Sequence, residues 1–239
     1  MRAEEARARM IELFPEGFEE VDRPGGIELV AYTDPGGEER MWHAFGRASG
    51  ADVAEGWEDR WRSFHRPVRV GRLWIGPPWL EPPPDAVAVV IDPGRAFGTG
   101  SHPTTRLTLE LLTPLPRGSL LDVGCGSGVL AIAAAKLGFA PLTAVDVDEG
   151  AVEATLRNAE ANTVCVDAWR GDALGDELPR ADVAVMNVTR ELVERAAPRL
   201  GCSRLVASGY TVAEPTALRG FRHVERKGEA GWAADLFER

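Results

Sequence analysis

The sequence predicts an α/β fold whose main domain is a doubly wound, mostly parallel, Rossmann-like sheet. From Val87 onward, apolar strand-like runs alternate with segments of helical periodicity, which is the pattern of successive βαβ units. At residues 121–128 an apolar run ends in an aspartate and three alternating glycines, a pattern typical of a strand that turns into a nucleoside-binding helix. The 239 residues suffice for one such domain and a small appendage.

The elements of the main domain follow from that alternation in chain order. We expect strand 87–91, helix 103–113, strand 119–123, helix 128–137, strand 142–147, helix 150–161, strands 164–168 and 181–186, helix 190–200 and strand 204–208. Residues 223–227 and 232–237 are short strand-like runs on either side of a glycine-containing turn. They predict a C-terminal hairpin.

The first part of the chain predicts a separate small α+β domain over residues 1–54. Apolar residues on one face indicate a helix over residues 3–14. Two short strands, at residues 18–21 and 27–32, flank a Pro-Gly-Gly turn, and residues 38–46 predict another short helix.

Residues 55–84 predict a linker between this small domain and a main domain at residues 85–239. Trp57, Trp61 and Phe64 form one stripe of a linker helix, and prolines stiffen the connection that follows it. The stripe could form an aromatic platform for a substrate. We favour the simpler interpretation, in which it docks the linker onto a neighbouring domain.

The glycine turn has two candidate ligands, a dinucleotide and S-adenosylmethionine. A dinucleotide fingerprint requires Gly or Ala where this chain has Val129, and Asp122 would repel a pyrophosphate. S-adenosylmethionine has no phosphate: Gly124 and Gly126 let the backbone pass beneath its methionine part, and Asp122 places negative charge near its cationic groups. Asp146, at the end of the next strand, can accept both ribose hydroxyls. We favour S-adenosylmethionine over a dinucleotide and over a purely structural turn.

A loop rich in glycine and hydroxyl groups precedes this turn, at residues 92–105. It can fold over the methyl donor and shape the acceptor channel, or it can be an ordinary connection; its composition favours function. Pro103 predicts a helix start, which places Thr104 or Thr105 in the first helical turn. His102 is a weaker candidate for a direct role.

Two further polar residues follow strands of the predicted sheet. Asn187 ends a buried strand at the donor edge, where its side-chain oxygen can accept N–H groups of an incoming amine; the alternative is a simple strand end. Asp172 can accept from the adenine amino group. A solvated turn aspartate is an almost equally good interpretation of Asp172.

Composition excludes several other classes of protein. The formal net charge of -10 argues against a nucleic-acid duplex as the main partner. Cys125, Cys165 and Cys202 include no C-x-x-C pair, and the four histidines lack metal spacing, so we expect no metal, no disulfide framework and a reducing cytoplasm. The first ten residues lack the apolar core of a signal peptide, and no apolar run is long enough to span a membrane.

The loop, the glycine turn and Asn187 together resemble the bacterial ribosomal protein L11 methyltransferase (PrmA-type) family. The resemblance covers roughly residues 55 to 239, and the loop motif is its most specific part. It implies a seven-stranded class I methyltransferase domain and an N-terminal ferredoxin-like domain that recognises the ribosomal protein. It also implies methylation of lysine and N-terminal amines, with donor contacts at Thr105, Gly124, Asp146 and Asn187.

The chain departs from that family in two places. Its N-terminal domain is expected to be shortened, with one strand fewer before the first helix, and the residues after Asn187 are less apolar. We therefore expect a monomeric, cytoplasmic, S-adenosylmethionine-dependent N-methyltransferase acting on a ribosomal protein. Asn187, Phe97 and Thr99 are its candidate catalytic residues. A small-molecule methyltransferase and a non-catalytic S-adenosylmethionine-binding module are the alternatives.

Overall fold

The computed structural model describes residues 6, 9–10, 13–14, 19–23, 26–31, 33, 35–46, 66–92, 100 and 102–239. The chain divides into two compact units, Met1–Arg62 and Ser63–Arg239. The predicted boundaries at residues 54 and 84 stay predictions. Within the described residues, no helix combines the length and the apolar character that crossing a membrane requires.

The first unit contains a two-stranded antiparallel sheet and a helix. Strands β1 (Glu19–Arg23) and β2 (Gly26–Val30) pair, and helix α1 (Pro35–Phe45) follows. Met10 and Phe14 are buried, and the Phe14 N–H donates to the Met10 carbonyl over 2.8 Å. These two residues lie on the apolar face that the sequence assigned to the helix over residues 3–14.

The second unit begins with three short strands and then alternates strands and helices from the third of them onward. Its elements are β3 (Val68–Val70), β4 (Leu73–Gly76), β5 (Val87–Val90), α2 (Pro103–Leu112), β6 (Leu120–Val123), α3 (Val129–Leu137), β7 (Leu142–Asp146), α4 (Glu149–Ala161), β8 (Asp167–Arg170), β9 (Ala181–Asn187), α5 (Arg190–Ala196), a 3₁₀ turn (Ala197–Arg199), β10 (Cys202–Thr211), β11 (Arg222–Glu229) and β12 (Trp232–Glu238).

Seven of these strands form one sheet, in the order β11-β12-β10-β9-β6-β7-β8. Strands β8, β7, β6, β9 and β10 are parallel, and β12 runs antiparallel to both of its neighbours. Strand β6 is central, with β7 and β8 on one side and β9 and β10 on the other. The order therefore reverses next to β6, and ligands bind at the carboxyl ends of strands at such a switch point. The predicted seven-stranded α/β fold is confirmed.

A second, three-stranded sheet lies outside the predicted pattern. Strand β5 was expected in the main sheet, but it pairs in parallel with β4, which pairs with β3. The segment predicted as a proline-rich connection thus contributes two strands. Leu73, Trp74 and Ile75 of β4 are all buried, because this small sheet packs against the helices of the main domain.

Helix α3 joins the two sheets into one core. Residues Ala131 to Ala134 are completely buried, and the helix contacts β5, β6 and β7. It begins after Gly128 and ends at Gly138, which closes it in the left-handed conformation common at helix ends. The glycine turn is therefore followed directly by a helix whose first six residues, Val129 to Ala134, are all buried.

Candidate functional site

The turn between β6 and α3 requires its glycines. Gly124, Gly126 and Gly128 all have positive φ, at 76°, 55° and 80°, where other residues are strained. A Cβ on Gly124 would clash with the Val188 side chain, and a Cβ on Gly128 would come within 2.9 Å of Thr155. The three glycines thus allow both the left-handed turn and its close packing at the carboxyl edge of the sheet.

Backbone hydrogen bonds fix this turn to the neighbouring strand. The N–H groups of Gly124 and Cys125 both donate to the Val145 carbonyl, over 2.8 and 3.2 Å. The Gly128 N–H closes the turn by donating to the Cys125 carbonyl over 2.8 Å. The turn therefore lies beside the last residues of β7, where the sequence placed Asp146.

Asp146 bonds directly to the glycine turn. The Gly126 N–H donates to Oδ2 over 3.0 Å, and the Asp148 N–H donates to Oδ1 over 3.1 Å. Each oxygen of a carboxylate can accept a further hydrogen bond, so Asp146 retains capacity for two hydroxyl groups. The next residue, Val147, is 60% exposed, an apolar side chain at the same strand end that sequence reasoning missed.

Asp122 lies beneath the turn and is completely buried. Its Oδ2 accepts from the Ala131 N–H over 3.1 Å, whereas Oδ1 has no hydrogen-bond partner among the residues that the structure describes. Burial raises the pKa of this carboxyl to about 7; the charge of Asp146 adds to that effect and the Ala131 bond opposes it. Asp122 thus bonds to the backbone of α3, and its role toward the donor stays a prediction.

Thr105 and Asn187 come together across the sheet edge, although 82 residues separate them. Thr105 is buried in the first turn of α2, and Asn187 is the last residue of β9. The Asn187 amide nitrogen donates to the Thr105 hydroxyl over 3.4 Å. The bond to Thr105 uses the amide nitrogen of Asn187. The side-chain oxygen of Asn187, which takes no part in that bond, is the atom that can accept from an amine.

His102 caps the helix that carries Thr105. The Thr104 N–H donates to His102 Nδ1 over 3.4 Å, and the imidazole ring packs edge-on against Trp232 with 4.7 Å between ring centroids. Partial burial and the charge of Arg106 lower the pKa of His102, which favours the neutral ring that a cap acceptor needs. The structure thus gives His102 a capping role.

Asp172 lies in an exposed turn after β8. Its Oδ1 accepts from the Leu174 N–H over 2.8 Å, and its own N–H donates to Asp176 over 2.8 Å. The preceding Gly171 N–H donates to the Asp146 carbonyl over 2.9 Å, so this loop adjoins the donor edge. Asp172 therefore stabilises its own turn, and its contact with the adenine amino group stays a prediction.

Two of the three catalytic candidates, Phe97 and Thr99, lie outside the described residues, as does the Trp57–Phe64 stripe. Cys125 lies inside the glycine turn, where burial raises the pKa of its thiol to about 12 and its sulfur lies 3.3 Å from the Thr155 hydroxyl oxygen. It is therefore a protonated packing residue. Within the described part of the chain, no group of three acidic, histidine or cysteine side chains could hold a metal.

Sequence reasoning also missed two residues on α4 that bond to the glycine turn. The Thr155 hydroxyl donates to the Gly126 carbonyl over 3.1 Å, and the Asn158 amide donates to the Ser127 carbonyl over 2.9 Å. Burying an Asn in a helix is unfavourable unless its amide is paired. An Asn within the predicted helix 150–161 is the one signal in the sequence that could have pointed to Asn158.

Comparison with known proteins gives a consistent result. Residues 39–233 match the family described as "Ribosomal protein L11 methyltransferase (PrmA)". The ribosomal protein L11 methyltransferase of Serratia proteamaculans (strain 568) is 44% identical over 157 residues, which are 61% of this chain and 52% of that protein. The protein of the same name from Edwardsiella ictaluri (strain 93-146) is 45% identical over the same shares. The chain thus spans about half the length of the curated relatives it matches.

A solved structure supports the same relationship. The crystal structure of ribosomal protein L11 methylase from Lactobacillus delbrueckii subsp. bulgaricus superimposes with a TM-score of 0.62 at 26% sequence identity. The match covers 73% of this chain and 99% of that one. The similarity therefore includes most of the α/β unit described above.

Proposed function

Because this chain belongs to the ribosomal protein L11 methyltransferase (PrmA) family, we propose that it transfers methyl groups from S-adenosylmethionine to amines of a ribosomal protein. The observation that carries the proposal is the meeting of three groups at one sheet edge: the glycine turn, Asp146, and the pair formed by Thr105 and Asn187. A nucleoside and an acceptor amine can both be held there.

The residues present fit this donor better than a phosphate-bearing ligand. Gly124 and Gly126 allow the left-handed turn at the end of β6, and Asp146 has capacity for the ribose hydroxyls. The exposed Val147 can pack against the adenine ring. The buried Asp122 would repel a phosphate but stabilises a cation, and its Oδ1 lacks a partner within the described residues.

When bound, S-adenosylmethionine supplies an activated methyl group on a positively charged sulfur. The remaining task of the chain is to hold the acceptor nitrogen about 3–3.5 Å from the methyl carbon and in line with the bond that breaks. The side-chain oxygen of Asn187 accepts an N–H of the acceptor, which aims the nitrogen lone pair. The acceptor amine must be neutral to react, and burial at this edge lowers its pKa.

We assign the loop residues Phe97 and Thr99 to the wall of the acceptor channel. The support is the resemblance of the loop motif to the family and its position directly before α2, which carries Thr105. Asp172 is assigned to the adenine amino group on the position of its turn beside Asp146.

The proposed acceptor protein is ribosomal protein L11, which the names of the relatives contain. The resemblance to the family implies lysine side chains or the N-terminal amine as the groups that are methylated. We assign recognition of this protein to residues 1–54. Trp42 on α1 is 53% exposed, and large exposed aromatic side chains are frequent anchors of protein interfaces. Trp42→Ala should therefore weaken methylation of the ribosomal protein without changing donor affinity.

The test is transfer of radiolabelled methyl groups to purified ribosomal protein L11, followed by mass spectrometry of the modified residues. We expect label on amines, and much less label with Asn187→Ala. Label on small molecules of a cell extract but on no ribosomal protein would identify a small-molecule methyltransferase. Donor binding without any transfer would identify a binding module.

A further inference from the structure

Two buried asparagines lie one turn apart at the end of α4: Asn158 on the helix and Asn162 at its C-cap, each 4% exposed. Their amide orientations follow from their partners, because each oxygen faces an N–H group and each nitrogen faces a carbonyl. Both side chains bond to the segment that includes β5, but only one of them also reaches the donor site. This difference separates a structural residue from a positioning residue.

Asn162 has a structural role. Its Oδ1 accepts from the Val90 N–H over 2.8 Å and its Nδ2 donates to the Val90 carbonyl over 2.6 Å. The side chain therefore satisfies both backbone groups of one residue on β5, as a neighbouring strand would. This pairing holds the small sheet against α4 and includes no residue of the glycine turn.

Asn158 connects β5 to the glycine turn. Its Oδ1 accepts from the Asp92 N–H over 3.0 Å, and its Nδ2 donates to the Ser127 carbonyl over 2.9 Å. One turn earlier on the same helix, Thr155 donates to the Gly126 carbonyl over 3.1 Å. Two side chains of α4 thus donate hydrogen bonds to two consecutive carbonyl groups of the turn.

A glycine-rich turn needs such bonds if it is to bind a ligand well. Glycine backbones have many accessible conformations, and ordering them upon binding costs conformational free energy. Contacts that hold the turn in its binding conformation beforehand remove part of that cost. The bond from Asn158 to Ser127 has this effect, because Ser127 lies between Gly126 and Gly128.

We propose that Asn158 is a positioning residue for the methyl donor: it holds the glycine turn in its binding conformation by bonding the Ser127 carbonyl, and it connects the turn to the chain at Asp92. The inference rests on the proposed function, since it assigns the donor to this turn. It gives Asn158 and Asn162 different roles, although they lie one turn apart at the end of α4 and both bond to the segment that includes β5.

The test compares three substitutions in the full chain: Asn158→Ala, Asn158→Asp and the matched control Asn162→Ala. Calorimetric titration with S-adenosylmethionine gives the Kd, and thermal unfolding without donor gives the Tm. We expect both alanine variants to lower the Tm. Only Asn158→Ala should raise the Kd, at least fivefold, whereas Asn162→Ala should bind within twofold of the wild type.

Asn158→Asp tests the bond to Ser127 apart from the bond to Asp92. Aspartate keeps an acceptor for the Asp92 N–H but cannot donate to the Ser127 carbonyl while it is ionised. We expect donor binding as weak as that of Asn158→Ala, or weaker. In a transfer assay the KM for the donor should rise, while kcat at saturating donor stays near the wild-type value.

Two results would overturn the inference alone: equal donor affinity of Asn158→Ala and Asn162→Ala, or wild-type affinity of Asn158→Asp. If Asn158→Ala does not fold, Asn158→Asp, which keeps the shape of the side chain, decides the question. Absence of donor binding by the wild-type chain would instead overturn the proposed function, and the inference with it.

Discussion

Two aspartates of the seven-stranded sheet are almost fully buried, and they differ in their partners. Asp235, on β12, accepts from His223 over 2.7 Å, from Tyr210 over 2.8 Å and from two nitrogens of Arg226 over 2.9 and 3.0 Å. Asp122, on β6, accepts a single bond from a backbone N–H and has one oxygen without a partner among the described residues.

This contrast distinguishes a structural region from the region to which we assign the methyl donor. Buried carboxylates are normally compensated, and the hydrogen-bonded cluster around Asp235 satisfies that rule. Asp122 violates it beneath the glycine turn, at the edge that we assign to a cationic donor. Local violations of such rules are typical of functional sites.

The largest effect should come from Asp122→Asn measured against pH. The pKa of Asp122 is about 7 in the folded chain against its ordinary value of 3.8, so between these values the folded state binds more protons than the unfolded state. The wild-type free energy of unfolding should therefore fall as the pH rises from about 4 to about 7. The variant lacks this term, so its stability relative to the wild type should increase by roughly 4 kcal/mol between pH 4 and pH 8.

Urea unfolding of both proteins at several pH values measures this difference. The stability of the variant relative to the wild type should grow between pH 4 and pH 7 and stay constant above pH 8. A difference that does not change with pH would mean that Asp122 is ionised throughout, and the contrast with Asp235 would then disappear.

Asp235→Ala should have the next largest effect, and of the opposite sign. It leaves Tyr210 and Arg226 without their shared acceptor, and a buried partner lost in this way costs about 2–3 kcal/mol of stability. His223 and Arg226 are partly exposed, so water limits the loss. Donor affinity, measured by titration of the folded variant, should not change; a changed affinity would place this cluster in the functional site.

Asp146→Ala tests the carboxylate that we assign to the ribose hydroxyls of the donor. Hydrogen bonds to a charged group contribute roughly 1.5–3 kcal/mol each, so donor affinity should fall at least about tenfold, with a small loss of stability from the bond to Gly126. Calorimetric titration measures the affinity. An unchanged Kd in a folded variant would rule out the ribose role.

The smallest effect on donor binding is expected for Asn187→Ala. Its proposed task is to orient the acceptor, so transfer should slow severalfold while the donor Kd changes by less than about twofold. Thr105→Val removes the hydroxyl that contacts Asn187 and keeps the side-chain shape, so it tests separately whether that contact orients the amide. Normal turnover of Asn187→Ala on a verified substrate would make Asn187 only a strand end.

Much of the main domain could be predicted because its elements have clear periodicity. The helix predicted at residues 103–113 and the hairpin at residues 223–227 and 232–237 lie within a few residues of α2, β11 and β12. The strand expected at residues 164–168 instead covers Asp167–Arg170, where pairing of Thr143 with Asp167 sets its register. Strand pairing is a long-range property that apolar runs do not specify.

The sequence by itself determined the glycine turn and the polar strand ends, because positive φ demands glycine and apolar runs mark where strands stop. It therefore located Asp146 and Asn187 at one edge. Only the tertiary structure decided that Asp122 is buried with one oxygen that no described residue pairs, and that Asn158 connects Asp92 to Ser127, across 66 and 31 residues of chain. Such contacts depend on how helices pack against the sheet, and local sequence patterns carry no record of that packing.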